Sequence, residues 1–148
     1  PFLEGAWHLL KFPFFNGEGY WLHGMTDATY CDEAHHFLKD AFRVLHTYED
    51  AFCSDAVEPL VETLIPGVYA NRFGRGSPTV YTLFNAQYRT VRGPVLRIRD
   101  RRGTSYIDAF ADVPLDNVVV EKGFAVVSAE LGPRQVGCIA AVRPPKSR

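Results

Sequence analysis

The sequence predicts an α+β fold, a helical N-terminal part followed by an antiparallel β-sandwich. Three observations carry this. Between residues 27 and 52 apolar side chains recur at spacings of three and four. From about Gly67 onward the period changes to two, in short runs rich in β-branched and aromatic residues. Glycine-, proline- and asparagine-bearing turns separate those runs by only a few residues.

In the first region Tyr30, Ala34, Phe37, Leu38, Ala41, Leu45, Tyr48 and Phe52 form one stripe, and Asp32, Glu33, His36, Lys39, Asp40, Arg43 and Thr47 fill the opposite face. That is an amphipathic helix of about six to seven turns. Thr26 or Asp27 offers a side-chain acceptor at its start. Residues 53–66 form a joint, where Pro59 and Pro66 argue against a long helix. Strands are then expected at 67–73, 79–85, 95–99, 104–110, 117–121, 124–131 and 135–142. In 124–131, Ala125, Val127, Ala129 and Leu131 share one face and Ser128 and Glu130 the other, so one side is core and the other wet.

Composition narrows the function classes. The 148 residues suffice for one core or two small ones. Sixteen basic and 17 acidic side chains give a net charge of −1, with no footprint for nucleic acid or an anionic membrane surface. No run of about 18 apolar residues occurs, so no membrane-spanning helix is expected. Cys31, Cys53 and Cys138 are widely spaced, outside any CxxC pattern, and each reads as a small buried hydrophobe. His35 and His36 point about 100° apart on the helix, and Asp32 with His35 lacks a third ligand at helical spacing, so no metal site is expected. No cofactor is expected either. There is no GxSxG elbow, and "FGRGSP" (73–78) lacks the Lys-Ser/Thr ending of a phosphate-binding loop and reads as a hairpin turn. "RIRDRRG" (97–103) alternates its arginines and ends in a turn, as a solvated hairpin does. The chain opens on Pro1-Phe2-Leu3-Glu4 without an initiating Met and is read as a piece of a longer protein. One helix with one or two strands buries too little surface to offset chain entropy, so the first half reads as the end of a larger unit.

Five stretches share a resemblance: "LLKFPFFNGEGYW" ahead of the long helix, "DAVEPLVETL" leading to "GVYANRF", "VYTLFNAQYRTVRGPVL", "YIDAF", and "AELGPRQVGCIAAV". Together, over about residues 1–143, they resemble the C-terminal end of bacterial glycoside-hydrolase-like proteins of the α-amylase and α-galactosidase type. That resemblance implies a (β/α)8 barrel followed by an antiparallel β-sandwich. Residues 1–57 would be the terminal strand, loop and helix of the barrel, and residues 58–148 the sandwich. Phe12–Phe15 would be strand and core, and Trp7 and His8 barrel packing. The implied partners are a carbohydrate substrate and the missing N-terminal barrel. Glycoside hydrolysis usually takes two carboxylates drawn from several barrel strands, of which at most one lies here. No catalytic residue is therefore assigned, and the isolated chain is expected to be inactive.

Within that frame, residues 16–24 are a loop facing the barrel mouth. Glu18, unshielded between Gly17 and Gly19, is a candidate to bond sugar hydroxyls. Tyr20 and Trp21 are candidates to stack on a sugar ring, and His23 to exchange hydrogen bonds with a hydroxyl. Plainer readings stand beside these: a solvated acid, rings packed between loop and helix, and a solvated or capping histidine. Tyr69, Tyr81, Phe84, Tyr88, Tyr106 and Phe110 are expected to be mostly core and interface rings. The alternative function is a non-catalytic β-sandwich module that binds carbohydrate or another partner.

Overall fold

The structure, a computed structural model, describes residues 7–20 and 31–144. Among them a six-stranded sheet runs in the order β1 (Val57–Val61), β2 (Val68–Phe73), β3 (Thr79–Asn85), β9 (Val136–Val142), β5 (Ser105–Asp108), β6 (Val113–Pro114). A three-stranded sheet has the order β4 (Val91–Arg99), β8 (Phe124–Leu131), β7 (Val119–Glu121). Every ladder is antiparallel. The two sheets pack face to face over Val68, Ala70, Leu83, Val95, Leu96, Val127 and Ile139, all nearly fully buried. The period-two reading of 124–131 holds: Ala125 and Val127 are inaccessible and Glu130 is exposed. β3 does not alternate, because both of its faces are covered.

The covering on the second face is helical. Helix α2 (Asp32–Thr47) turns Ala34, Leu38, Ala41 and Val44 inward, and the short α3 (Glu49–Phe52) adds Ala51. The sequence predicts one continuous helix to residue 52, but Tyr48, at φ −116° and ψ 31°, leaves helical geometry and separates the two. The expected cap at Thr26 or Asp27 lies outside the described residues. Arg43 on α2 donates to the carbonyls of Ala109 at 3.0 Å and Phe110 at 2.6 Å, fastening the helix across the sheet beyond β5.

Residues 7–15 are helical where the sequence reading expects a strand. A 3₁₀ turn (Trp7–Leu10) leads into α1 (Lys11–Phe15). The aromatic run reads as strand-like, but Pro13 falls in the first turn of α1, where proline is tolerated because its missing N–H has no intrahelical acceptor. The stop is written in the following residues. Gly17 adopts φ +71°; its N–H donates to the Phe14 carbonyl at 2.9 Å, and the Glu18 N–H donates to that of Pro13 at 2.9 Å. This pair of bonds is the Schellman helix ending. A β-carbon on Gly17 would lie 2.4 Å from the Phe73 ring, so glycine also permits the close approach of helix to sheet.

The joint at 53–66 contains a strand, β1, that the sequence reading misses. Pro59 and Leu60, the latter at φ +52°, break its alternation, and its register with β2 shifts between Glu58 and Val61. An edge position tolerates all three features. Of the cysteines, Cys138 is buried as expected, Cys31 is half-buried, and Cys53 is exposed beyond the end of α3.

Candidate functional site

The root of the 16–24 segment is built firmly. The Phe15 carbonyl, which the helix end leaves without an intrahelical donor, accepts from the buried Asn71 Nδ2 at 3.0 Å and Thr82 Oγ1 at 2.6 Å. Asn71 Oδ1 accepts the Leu60 N–H at 2.9 Å, so one side chain joins helix end, sheet and edge strand. Glu18 follows directly, with its backbone in the cap and its carboxylate exposed. Tyr20 turns back: its hydroxyl donates to the Leu10 carbonyl at 2.7 Å, and its ring lies edge-on to Phe42 at 5.5 Å. Burial pushes that hydroxyl well above the usual phenol range. Trp21 and His23 lie outside the described residues.

Exposed rings gather elsewhere, at the β3–β4 end of the helix-covered face. Tyr88 is 85% exposed and Tyr69 48%, where core or interface positions are expected, and Phe12 is 39% exposed where core is expected. Phe84 lies beneath them, paired with Tyr69 across β2 and β3 and 5.5 Å from Phe12. The Arg134 guanidinium sits 4.9 Å from the Phe84 ring and 5.4 Å from the Tyr88 ring. Lys11 Nζ donates to the Arg134 carbonyl at 2.9 Å and stands 4.8 Å from the Trp7 ring. Burial and the neighbouring Arg134 pull Lys11 below the usual ammonium range.

Sequence distance hid this platform. Asn85, fully buried, donates to the carbonyls of Arg89 at 2.8 Å, Leu131 at 3.2 Å and Gly132 at 2.8 Å, and accepts the Gln87 N–H at 3.0 Å. It thereby clamps the loop bearing Tyr88 to the loop bearing Arg134. Arg134 itself holds φ +54°, a conformation costing a non-glycine residue about 1–2 kcal/mol. Bonds from its N–H to Gln87 and from its guanidinium to Ala86, both 3.0 Å, fix it there. The local trace is one tyrosine among mostly polar residues in "NAQYR" (85–89) after a buried strand, which does not by itself mark exposure.

The platform and Glu18 are separate places. Tyr69 and Phe73, which mark their positions on β2, are four residues apart, about 13 Å along a strand. Among the described residues the platform offers flat rings and cations, an arrangement suited to stacking. A cavity of about 440 Å³ opens between the sheets beside Asp108 and Glu130. Both acids are engaged: Asp108 accepts the N–H groups of Phe110 and Ala111, and Glu130 is bonded to Arg92 at 2.8 Å.

No family model and no curated protein sequence matches the chain. Solved structures do. An α-amylase from Geobacillus thermoleovorans is matched over 95% of this chain at 11% identity and a TM-score of 0.63. A β-L-arabinopyranosidase from Geobacillus stearothermophilus is matched over 95% at 12% identity and 0.62. An α-galactosidase from Mortierella vinacea is matched over 83% at 9% identity and 0.52. At these identities the likeness is one of fold. The chain spans 33%, 30% and 32% of the length of these enzymes.

Proposed function

We propose that the chain is the C-terminal portion of a carbohydrate-active, glycoside-hydrolase-like protein, with the 16–24 segment on the rim of the sugar site and the sandwich as an accessory or structural domain. The observation that supports this best is the likeness of the whole helix-covered sandwich to parts of glycosidases of different specificity. In this reading residues 1–57 end a (β/α)8 barrel, residues 58–148 form the sandwich, and the remaining barrel supplies the catalytic carboxylates. Glu18 contributes binding, because the helix cap holds its backbone while the carboxylate faces outward. Tyr20 anchors the root of the loop. Trp21 and His23 follow as ring and hydrogen-bonding partner for the sugar. In the full-length protein, Glu18→Gln should raise KM for a chromogenic glycoside several-fold with little change in kcat. Unchanged constants remove Glu18 from the site.

A second reading, a non-catalytic carbohydrate-binding module, is favoured by the ring platform around Tyr88. Tyr88→Ala should weaken binding of a neutral oligosaccharide about fivefold, since one stacked ring contributes on the order of 1 kcal/mol. Its melting temperature should not change, as the ring is mostly exposed. Titration calorimetry decides; wild-type protein that binds no glycan leaves the sandwich a structural domain.

A further inference from the structure

The end of the sandwich opposite Tyr88 holds a different chemistry. A cleft of about 380 Å³ opens there between the two sheets. Five of the chain's 16 basic side chains line it: Arg72, Arg75, Arg99, Arg101 and Arg143. No aspartate or glutamate is among the lining residues. In a chain whose net charge is −1, this is a concentrated positive site.

Three remote pieces of chain build it. The β2–β3 turn carries Arg75, the end of β4 and the turn crossing from it to β5 in the other sheet carry Arg99 and Arg101, and the segment after β9 carries Arg143. Ser77 joins the first and last of these: its hydroxyl accepts the Arg143 N–H at 2.8 Å and donates to the Arg143 carbonyl at 3.3 Å. Gly76 takes φ +99°, a conformation L side chains rarely adopt, which turns the loop beside the Arg143 guanidinium. Tyr81 and Tyr106 form a buried floor. Two acids stand near the wall, and both are already engaged. Glu58 pairs with Arg72 at 2.6 Å, and Asp100 accepts the Tyr106 hydroxyl at 2.9 Å. Among the described residues, Arg75, Arg99, Arg101 and Arg143 have no carboxylate partner. Arg72 Nε is buried without an acceptor. An orphaned buried donor beside four cations without carboxylate partners is an arrangement completed by an acceptor-only ligand.

We propose that this cleft is an oxyanion-binding site taking a sulfate or phosphate group, free or carried on a sugar. Guanidinium forks match the paired oxygens of such groups, and several arginines converging on one cleft give the charge that a divalent anion needs. The site is independent of the functional reading above: it requires neither a barrel nor hydrolysis.

The test is titration calorimetry of the whole chain at constant ionic strength with sodium sulfate, sodium phosphate, glucose 6-sulfate and glucose 6-phosphate, with glucose as the neutral control. At least one anion should bind saturably at one site, and the double variant Arg75→Gln/Arg99→Gln should weaken it at least tenfold. Both residues are exposed, so the melting temperature should hold. Arg102→Gln, in the same β4–β5 turn but outside the lining, should leave affinity within twofold. Tighter binding of a sugar ester than of its inorganic anion supports a sugar-borne group; the reverse supports a free one. Absence of saturable binding by all four anions overturns the site. An equal loss in Arg102→Gln also overturns it, because diffuse charge would then account for the attraction.

Discussion

One face of the six-stranded sheet is closed by rings, the other by aliphatic side chains. Between this face and the helices, Phe73 and Phe84 of the sheet meet Phe14 and Phe15 of α1 and Tyr48 between α2 and α3, with Tyr20, Phe37, Phe52 and Phe110 packed at their margin. Against the small sheet stand valines, leucines and isoleucines, with Tyr81 and Tyr106 the buried rings of that core. The difference follows from what each face must hold. β4 and β8 dock as a paired ladder that carries its own hydrogen bonds. Helix α1 has five residues, far too short to be stable alone. A phenylalanine buries 150–250 Å² in one side chain, so a few rings can hold a short helix that smaller residues could not. Helix docking accounts for nine of the chain's 20 aromatic residues, and so for much of its high aromatic content.

The sharpest way to break this comparison is to remove one residue from each face. Phe14 is fully buried and touches Phe37, Phe52 and Phe110, with ring centroids 4.9–6.4 Å apart. Phe14→Ala should cost about 4 kcal/mol, and Leu96→Ala, on the aliphatic face, about 3 kcal/mol. Urea unfolding followed by circular dichroism should show a single transition shifted by both. Two transitions, with only the first moved by Phe14→Ala, would instead support independent units divided near residue 57.

A smaller effect probes the junction rather than the core. Gly17→Ala places an alanine at φ +71° and drives its β-carbon toward the Phe73 ring. The dihedral costs about 1 kcal/mol and the crowding a further ~1–3 kcal/mol. Gly19→Ala, where a β-carbon meets nothing within 4 Å, is the matched control and should be nearly neutral. Equal effects from the two would mean that general chain stiffness, not the cap, is at stake.

Much of the sandwich was legible because its physics is local. Alternation and turn glycines placed β2, β3, β8 and β9 within a residue or so of their observed bounds. β1 was not legible, because Pro59 and the left-handed Leu60 erase the period at an edge where the ladder tolerates them. The helical turn at 11–15 is hard to read because "FPFF" is rich in aromatic residues with strand propensity, and the deciding signal is a single glycine two residues past the last helical phenylalanine. At the candidate sites the limit was sequence separation. Glu18 could be singled out from its flanking glycines. Tyr88 could not be known as exposed without Asn85 joining loops more than 40 residues apart. The arginines of 97–103 read as a solvated hairpin, but the turn crosses from β4 in one sheet to β5 in the other, and nothing local shows Arg75 and Arg143 facing them.

The smallest expected effect concerns the small sheet, whose Arg92 and Glu130 lie opposite one another on β4 and β8. Arg92 donates to both carboxylate oxygens, at 2.8 Å each, and these bonds hold the Glu130 carboxyl below its ordinary value. Both side chains are more than half exposed, so solvent and salt screen the pair. A carboxyl depressed on folding stabilises the fold above its unfolded pKa, and the contribution is lost as pH falls through the folded value. Arg92→Gln should therefore raise the Glu130 titration midpoint, read by carbon-detected NMR. The gap in melting temperature between wild type and variant should be largest near neutral pH and close in acid. Added salt should narrow the neutral-pH gap. Neither aromatic nor aliphatic packing should respond to pH in this window, so a variant gap that persists in acid would assign Arg92 a packing role instead.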